Sequence, residues 1–420
     1  MRVWLLQTGE PLPCDGENVR PMRAINLANE LLSRGHEVIL WSSDFYHQEK
    51  RSRYGKDKEI IISNKLKVRL LASSGYRRNI GLARLIDHYQ MARGLRLWLR
   101  SDLELPDIAF IGFPPIEVAF VMNRFMRERG IPTILDVKDQ WPHIFVYRSP
   151  SWIRPLVRFL IWPYFLLAKR TFYEASALSA MSASFLEWSC EFAGRIKTPT
   201  DQVVPLTTPR QISAQIKTHQ ADQWWAEQGV DISVRRVVSF IGSMTGAMNF
   251  NVIANIARAA QQSQLPVQFV VCGDGDEKDK VDALLHDIPN VVMPGWIDKE
   301  HIHSLSKFTL ATLVPYRNTK DFQMSIPNKV LDSLSNGLPI LTTLDGEVSE
   351  LVCKNHVGFH GSENDTQWML AAIRDLVESP TLWTDMSKRC NDLYSDQFEC
   401  ASVYSAFADE MERMAKSVSF

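Results

Sequence analysis

Short apolar runs alternate with amphipathic stretches along the whole chain. Val3–Leu6 predicts a first strand, followed by a polar loop and a helix near Arg20–Arg34 that Gly35 stops. Glu37–Trp41 predicts the second strand, and Ile60–Ile62, Val68–Leu71, Asp107–Ile111 and Pro132–Val137 predict further ones, with Pro114-Pro115 opening a helix after the 107–111 strand. After Arg235 the cycle restarts. Strands are expected at Val237–Ile241, Val267–Cys272, Val291–Met293 and Thr309–Val314, with helices over Asn251–Ala260, Glu277–Leu285 and Glu300–Leu305. Strand–helix alternation of this kind implies parallel sheets covered by helices on both faces. Two successive cycles predict an α/β protein of two Rossmann-like, doubly wound domains facing a central cleft, because such sheets bind ligands beyond the carboxyl ends of their strands. The Thr- and Pro-rich segment Lys197–Gln211 is the expected linker.

Size supports the division, since 420 residues exceed one ordinary core. A net charge of -1 argues against a nucleic-acid binder. The charge is uneven, however: residues 51–100 carry 13 Lys/Arg against 3 Asp/Glu, a zone suited either to phosphates or an anionic membrane, or to plain solvation. Six scattered cysteines without a C-x-x-C pair indicate neither a zinc site nor a disulfide framework, and fit a reducing cytoplasm. Val3-Trp-Leu-Leu6 is too short for a signal-peptide core. No run reaches transmembrane length; Ser151–Arg170, with an uncharged centre at Phe159–Ala168 and flanking arginines, reads either as an interfacial segment or as a buried helix.

Candidate chemistry concentrates in a few loops. Ser325-Ile-Pro-Asn-Lys-Val-Leu-Asp332 predicts a polar loop feeding a helix N-terminus, an anion site, with Gly337 as the helix stop. Lys329 and Asp332 share a face there, either as site residues or as a surface pair. Gly242-Ser243 and Gly273-Asp-Gly275 follow strands, where glycine permits close approach of a ligand. Gly9 to Arg23 forms a long loop with Gly16 and Arg20 near its end. His47, Lys50, Arg77 and Arg78 add polar and basic character past the second strand. Asp136-Val-Lys-Asp139 closes an apolar strand with two carboxylates, of which Asp136 reads as structural.

The 325–341 block, the 9–38 opening and Asp136-Val-Lys-Asp-Gln-Trp-Pro142 together resemble retaining glycosyltransferases of family 4, which have the GT-B fold; the closer likeness is to enzymes of bacterial polysaccharide and O-antigen pathways. The resemblance implies an acceptor-binding domain over 1–205, a nucleotide-sugar-binding domain over 206–397, and a terminal helix over 398–420 that packs back on the N-terminal domain through Tyr404, Phe407 and Met411. It implies donor contacts from Gly16, Arg20, Gly242, Ser243, Gly273, Gly275, Met324, Ser325, Ile326, Lys329 and Asp332, acceptor contacts from His47, Lys50, Arg77 and Arg78, and catalytic roles for Asp139 and Lys329. Neither metal nor cofactor is implied. The co-substrate is a nucleotide sugar, with a UDP-sugar favoured, and the acceptor a lipid-linked or oligosaccharide glycan. The expected location is cytoplasmic, peripheral on the inner-membrane surface. Three departures stand out. Met324 replaces the first glutamate of the family's paired-glutamate motif, Thr245–Phe250 lacks the usual arginine and lysine, and Lys138 replaces an arginine. A degenerate binding or scaffold subunit is therefore the alternative reading. A nucleotide-sugar epimerase is a weaker third, because no matching His/Glu set is visible.

Overall fold

A computed structural model describes residues 1–16, 21–77, 81–101, 103–207, 209 and 218–417. The chain divides into two compact units, Met1–Pro205 with Ala401–Phe420, and Leu206–Cys400.

The first unit is built on an eight-stranded sheet. Its spatial order is Gln202–Val203, Ala177–Ala180, Thr133–Val137, Ile108–Phe113, Arg2–Leu6, Glu37–Ser43, Leu66–Leu71, Lys58–Ser63. Every neighbouring pair is parallel except the last, Lys58–Ser63 against Leu66–Leu71, which is antiparallel. The middle strands are covered on both faces, so they are continuously apolar rather than alternating; Ile108–Phe113 is buried at all positions. The antiparallel edge strand is largely exposed and carries Lys58 and Glu59, charges that discourage edge pairing with other chains. The first helix runs Arg23–Ser33, and Pro114 and Pro115 precede rather than begin the helix Ile116–Arg127.

The segment from Ser151 is not a buried helix. It forms a single 3-10 turn at Ser151–Ile153 and a helix at Arg154–Leu160, neither burying any residue, before the helix Trp162–Glu174 buries Phe165, Ala168, Thr171 and Phe172. Among the described residues no helix is long and apolar enough to cross a membrane.

The terminal helix Cys400–Ser417 contributes Tyr404, Phe407 and Met411 to the interior of the first unit. The Phe407 ring meets Phe110 edge-on at 5.6 Å. Arg34 ties the helix down by donating to Asp409 at 2.5 Å, to Glu412 at 3.3 Å and to the Ser405 carbonyl at 2.8 Å.

The second unit has a six-stranded, wholly parallel sheet in the order Val291–Gly295, Gln268–Cys272, Val237–Ile241, Thr309–Val314, Ile340–Thr342, Gly358–His360. Phe240, Phe269, Val271 and Leu313 fill its core together with Ile253 and Ile373 from the covering helices. In each unit the chain reverses its direction of winding beside the first strand. The crevices lie there, between Arg2–Leu6 and Ile108–Phe113 and between Val237–Ile241 and Thr309–Val314.

Candidate functional site

In the second unit the strand Val237–Ile241 runs out at Gly242, beside the switch point. Gly242 has φ +145°, and its amide donates to the Cys272 carbonyl at 3.0 Å. A Cβ here would collide with the Lys329 ammonium, so only glycine leaves room for that side chain. Gly273, also at φ +145°, brings its backbone so close that a Cβ would strike the Gly242 carbonyl. Ser243 and Gly275 are exposed beside this junction, and the Met244 amide donates to the Asp274 carbonyl at 2.8 Å.

Lys329 comes from the helix Asn328–Ser335, which Pro327 introduces and which ends in two return bonds, Gly337 N to Leu334 O at 3.0 Å and Leu338 N to Ser333 O at 2.9 Å. Its Nζ donates to the Ile241 carbonyl and lies 4.2 Å from the centre of the Phe240 ring. Burial pulls the ammonium down to about 8, and the nearby Asp332 opposes that fall. Asp332 is half-buried one turn further along; burial raises the Tyr316 phenol and the Asp332 charge raises it further. Lys329 and Asp332 are thus turned toward the end of the sheet, not spread as an exposed pair.

The loop before this helix is less available than its polarity suggests. The Ser325 amide donates to the Phe322 carbonyl at 3.1 Å, as does the Ser325 hydroxyl, also at 3.1 Å. That amide is therefore already committed to a turn and is not offered to a phosphate. The Ile326 side chain belongs to the core with Val330 and Leu334. Met324 is half-buried at the end of the short helix Lys320–Gln323. A cation that sequence reasoning missed lies close by. Arg317, three residues past the Thr309–Val314 strand, donates through Nε to the Gly246 carbonyl at 3.0 Å and through its amide to the Ala247 carbonyl at 3.0 Å. The fold therefore brings a guanidinium onto Thr245–Phe250, the stretch that has no cation of its own.

The first unit holds a cavity of about 210 Å³ at its own switch point. Thr8 and Gly9 reach it from Arg2–Leu6, Ser43 and Phe45 from Glu37–Ser43, Pro114 and Pro115 from Ile108–Phe113, and Lys138 and Asp139 from Thr133–Val137. His47, Tyr76, Arg84, Asp87, His88 and Met91 complete the wall. Aromatic faces with two cations and two carboxylates suit a polar ring that carries negative charge.

His47 stands at the turn of the small hairpin Phe45–Tyr46/Arg51–Ser52, with Lys50 at φ +53° beside it. The Tyr76 hydroxyl is 2.8 Å from His47 Nδ1 and Lys50 Nζ is 3.2 Å from the same atom. Burial, then the Lys50 and Arg84 charges, draw the imidazole down to about 4. At neutral pH His47 is therefore uncharged, and the positive charge here comes from Lys50, Lys138 and Arg84. Arg84 lies 5.2 Å from the Tyr76 ring centre and 4.8 Å from that of Trp141. His88 is buried and drawn down to about 3 by burial and by Arg84, and its Nδ1 is 3.8 Å from Glu117.

Other expected residues fall elsewhere. Arg77 is exposed and does not line the cavity, because the chain turns at Gly75 to pack on Phe45; Arg84 takes the place expected of it. Gly16 is exposed beyond the Asp15–Arg53 ion pair (2.5 Å), and Gly9 approaches the cavity instead. Arg20 and Arg78 lie outside the described residues. The first helix N-terminus already holds a carboxylate: Glu10 accepts from the Ala24 amide at 3.0 Å. Asp136 is fully buried in a bidentate pair with Arg23 (2.8 and 2.7 Å) and also accepts from Ser179 at 2.8 Å, while Arg23 donates to the Val204 carbonyl at 2.7 Å. This network belongs to the scaffold.

Residues 235–379 match the family model described as glycosyl transferases group 1. No curated protein sequence matches the chain. Solved structures match over nearly its full length. Sucrose-phosphate synthase from Thermosynechococcus elongatus gives a TM-score of 0.72 at 11% identity, covering 99% of both chains. WaaG, a glycosyltransferase involved in lipopolysaccharide biosynthesis, gives 0.62 at 14% identity over 98% of this chain and 99% of its own. Anabaena HepE, solved in complex with UDP and glucose, gives 0.62 at 13% identity over 98% and 100%. The fold is GT-B.

Proposed function

We propose that this chain, whose residues 235–379 match the family model described as glycosyl transferases group 1, is a retaining glycosyltransferase. It moves a sugar from a nucleotide-diphosphate sugar to a lipid-linked glycan during cell-surface polysaccharide synthesis, in the cytoplasm. The observation that carries this reading is the Lys329 ammonium held on the Ile241 carbonyl directly against Gly242, with Asp332 one turn on. A diphosphate arriving at Gly242-Ser243 meets that cation, exposed backbone and Arg317, and the reading needs no metal. Asp332 accepts hydrogen bonds from the ribose. UDP is the favoured carrier, in keeping with the UDP and glucose found in HepE. The cavity of the first unit takes the acceptor, and Asp139 orients its attacking hydroxyl. The leaving phosphate serves as the base on the same face of the sugar.

The test is a screen of UDP-, GDP- and TDP-sugars by thermal shift, followed by calorimetry. Asp332→Ala should weaken binding of the stabilising nucleotide sugar by about tenfold or more, the worth of a charged hydrogen bond, with the fold intact. Unchanged binding overturns the site. Met324, standing where the family's first glutamate would be, favours one other reading, a binding or scaffold subunit without turnover. Slow hydrolysis of the nucleotide sugar without acceptor excludes that reading.

A further inference from the structure

From Gln140 through Tyr173 the chain has no Asp or Glu, yet it carries Arg148, Arg154, Arg158, Lys169 and Arg170. Inside this stretch, the turn and helix that cover Ser151–Leu160 bury nothing. Trp152 is 82% exposed, Phe159 77% and Leu160 67%, and Leu156 and Trp162 are also exposed. Leu156, Phe159 and Leu160 recur at helical spacing on the Arg154–Leu160 helix and so share one face, and Trp152 stands exposed on the turn just before it. Exposing this much aromatic and aliphatic surface is costly in water, and a contiguous patch of this kind marks an interaction site.

The character of the patch selects its partner. A symmetric contact between two copies would set Arg154 and Arg158 against themselves, with no acid in the segment to neutralise them. A bilayer has no such conflict. Tryptophan and phenylalanine sit at headgroup depth, and arginines beside them meet anionic phosphates. The uncharged run Phe159–Ala168 is too short to span, and Pro155 and Pro163 stand at the starts of consecutive short helices, so the segment lies along a surface rather than through it.

We propose that Ser151–Trp162 is a membrane-docking surface for anionic phospholipid, with Trp152, Leu156, Phe159 and Leu160 entering the interface and Arg154 and Arg158 meeting the headgroups. The inference stands apart from the transferase reading: it needs neither Lys329 nor a nucleotide sugar.

The full chain is mixed with phosphatidylcholine vesicles, with and without phosphatidylglycerol, and sedimented. Wild type should bind the phosphatidylglycerol vesicles, bind less as salt rises, and leave pure phosphatidylcholine largely alone. Phe159→Glu with Leu160→Glu should lower partitioning by about tenfold or more. Arg154→Gln with Arg158→Gln should lower it about fivefold per cation. Circular-dichroism melting and UDP binding should be unchanged in both, since these side chains are exposed. Wild type that ignores phosphatidylglycerol overturns the proposal, as does a Glu pair that partitions like wild type. So does a wild-type dimer in gel filtration that the Glu pair dissociates, because the face would then belong to a second copy.

Discussion

Replacing Lys329 with Met removes an ammonium while keeping an unbranched stem. The structure gives opposite expectations for folding and for binding. The fold holds this ammonium at about 8 against an ordinary 10.5, chiefly through burial, which corresponds to roughly 3 kcal/mol of disfavoured charge. At pH 7 the lysine is charged both folded and unfolded, so the fold bears the whole penalty. It fades as pH climbs from about 8 to 10.5, where the unfolded chain holds the proton and the folded chain does not. Against this, Lys329→Met forfeits the bond to the Ile241 carbonyl, worth about 1–2 kcal/mol. Stability at pH 7 should therefore stay level or rise by about 1–2 kcal/mol in urea unfolding. Binding of UDP should instead weaken by about tenfold to a hundredfold, the worth of a charge-assisted hydrogen bond to the diphosphate. Wild-type affinity should fall about tenfold between pH 7 and pH 9 as the ammonium loses its proton, while the variant stays flat. Calorimetry across pH, paired with urea melts, reads both. An unchanged Kd together with a large loss of stability would show that Lys329 is a structural tie and would refute the reasoning.

Three further outcomes are expected. Asp136→Ala strands the Arg23 guanidinium in the interior of the first unit and should cost about 3–5 kcal/mol in urea unfolding; a loss under about 1 kcal/mol would contradict the pairing seen here. Gly242→Ala forces a side chain into φ +145° and into Lys329, so UDP affinity should drop along with about 1–3 kcal/mol of stability, and a variant that binds normally would count against the crowding. Because His47 sits near 4, His47→Gln should leave the shape of the pH–activity profile between pH 5 and 8 unchanged; an inflection near pH 6 that disappears in the variant would show a titrating imidazole.

Local pattern reached far into this fold. Runs such as Ile108–Phe113, and Val237–Ile241 apart from Ser239, are apolar on both faces because both faces of a parallel strand are covered, and that signature survives in the bare sequence. It was enough for two doubly wound sheets. The loops around Gly242 and Gly273 were legible for a similar reason, since glycine at a strand end reports a local backbone demand. The exposure of Arg154–Leu160 was not legible, because an aromatic run between arginines fits a core helix and an exposed one equally well.

Convergence was decided by tertiary structure alone. Ser325 reads as a free loop amide until Phe322 is seen to accept from it, and Arg317 reads as an ordinary surface cation until the end of Thr309–Val314 carries it to Gly246. Gly9, Arg84 and Asp139 share one cavity, whereas Arg77, nearer to His47 in sequence than Arg84, stays outside. Periodicity is a property of neighbours along the chain, and so it fixes elements and the faces they bury. Which strand ends lie side by side depends on the order in which crossovers lay the strands into the sheet. Only that order brings residues 100 or more positions apart, such as Thr8 and Asp139, to one wall.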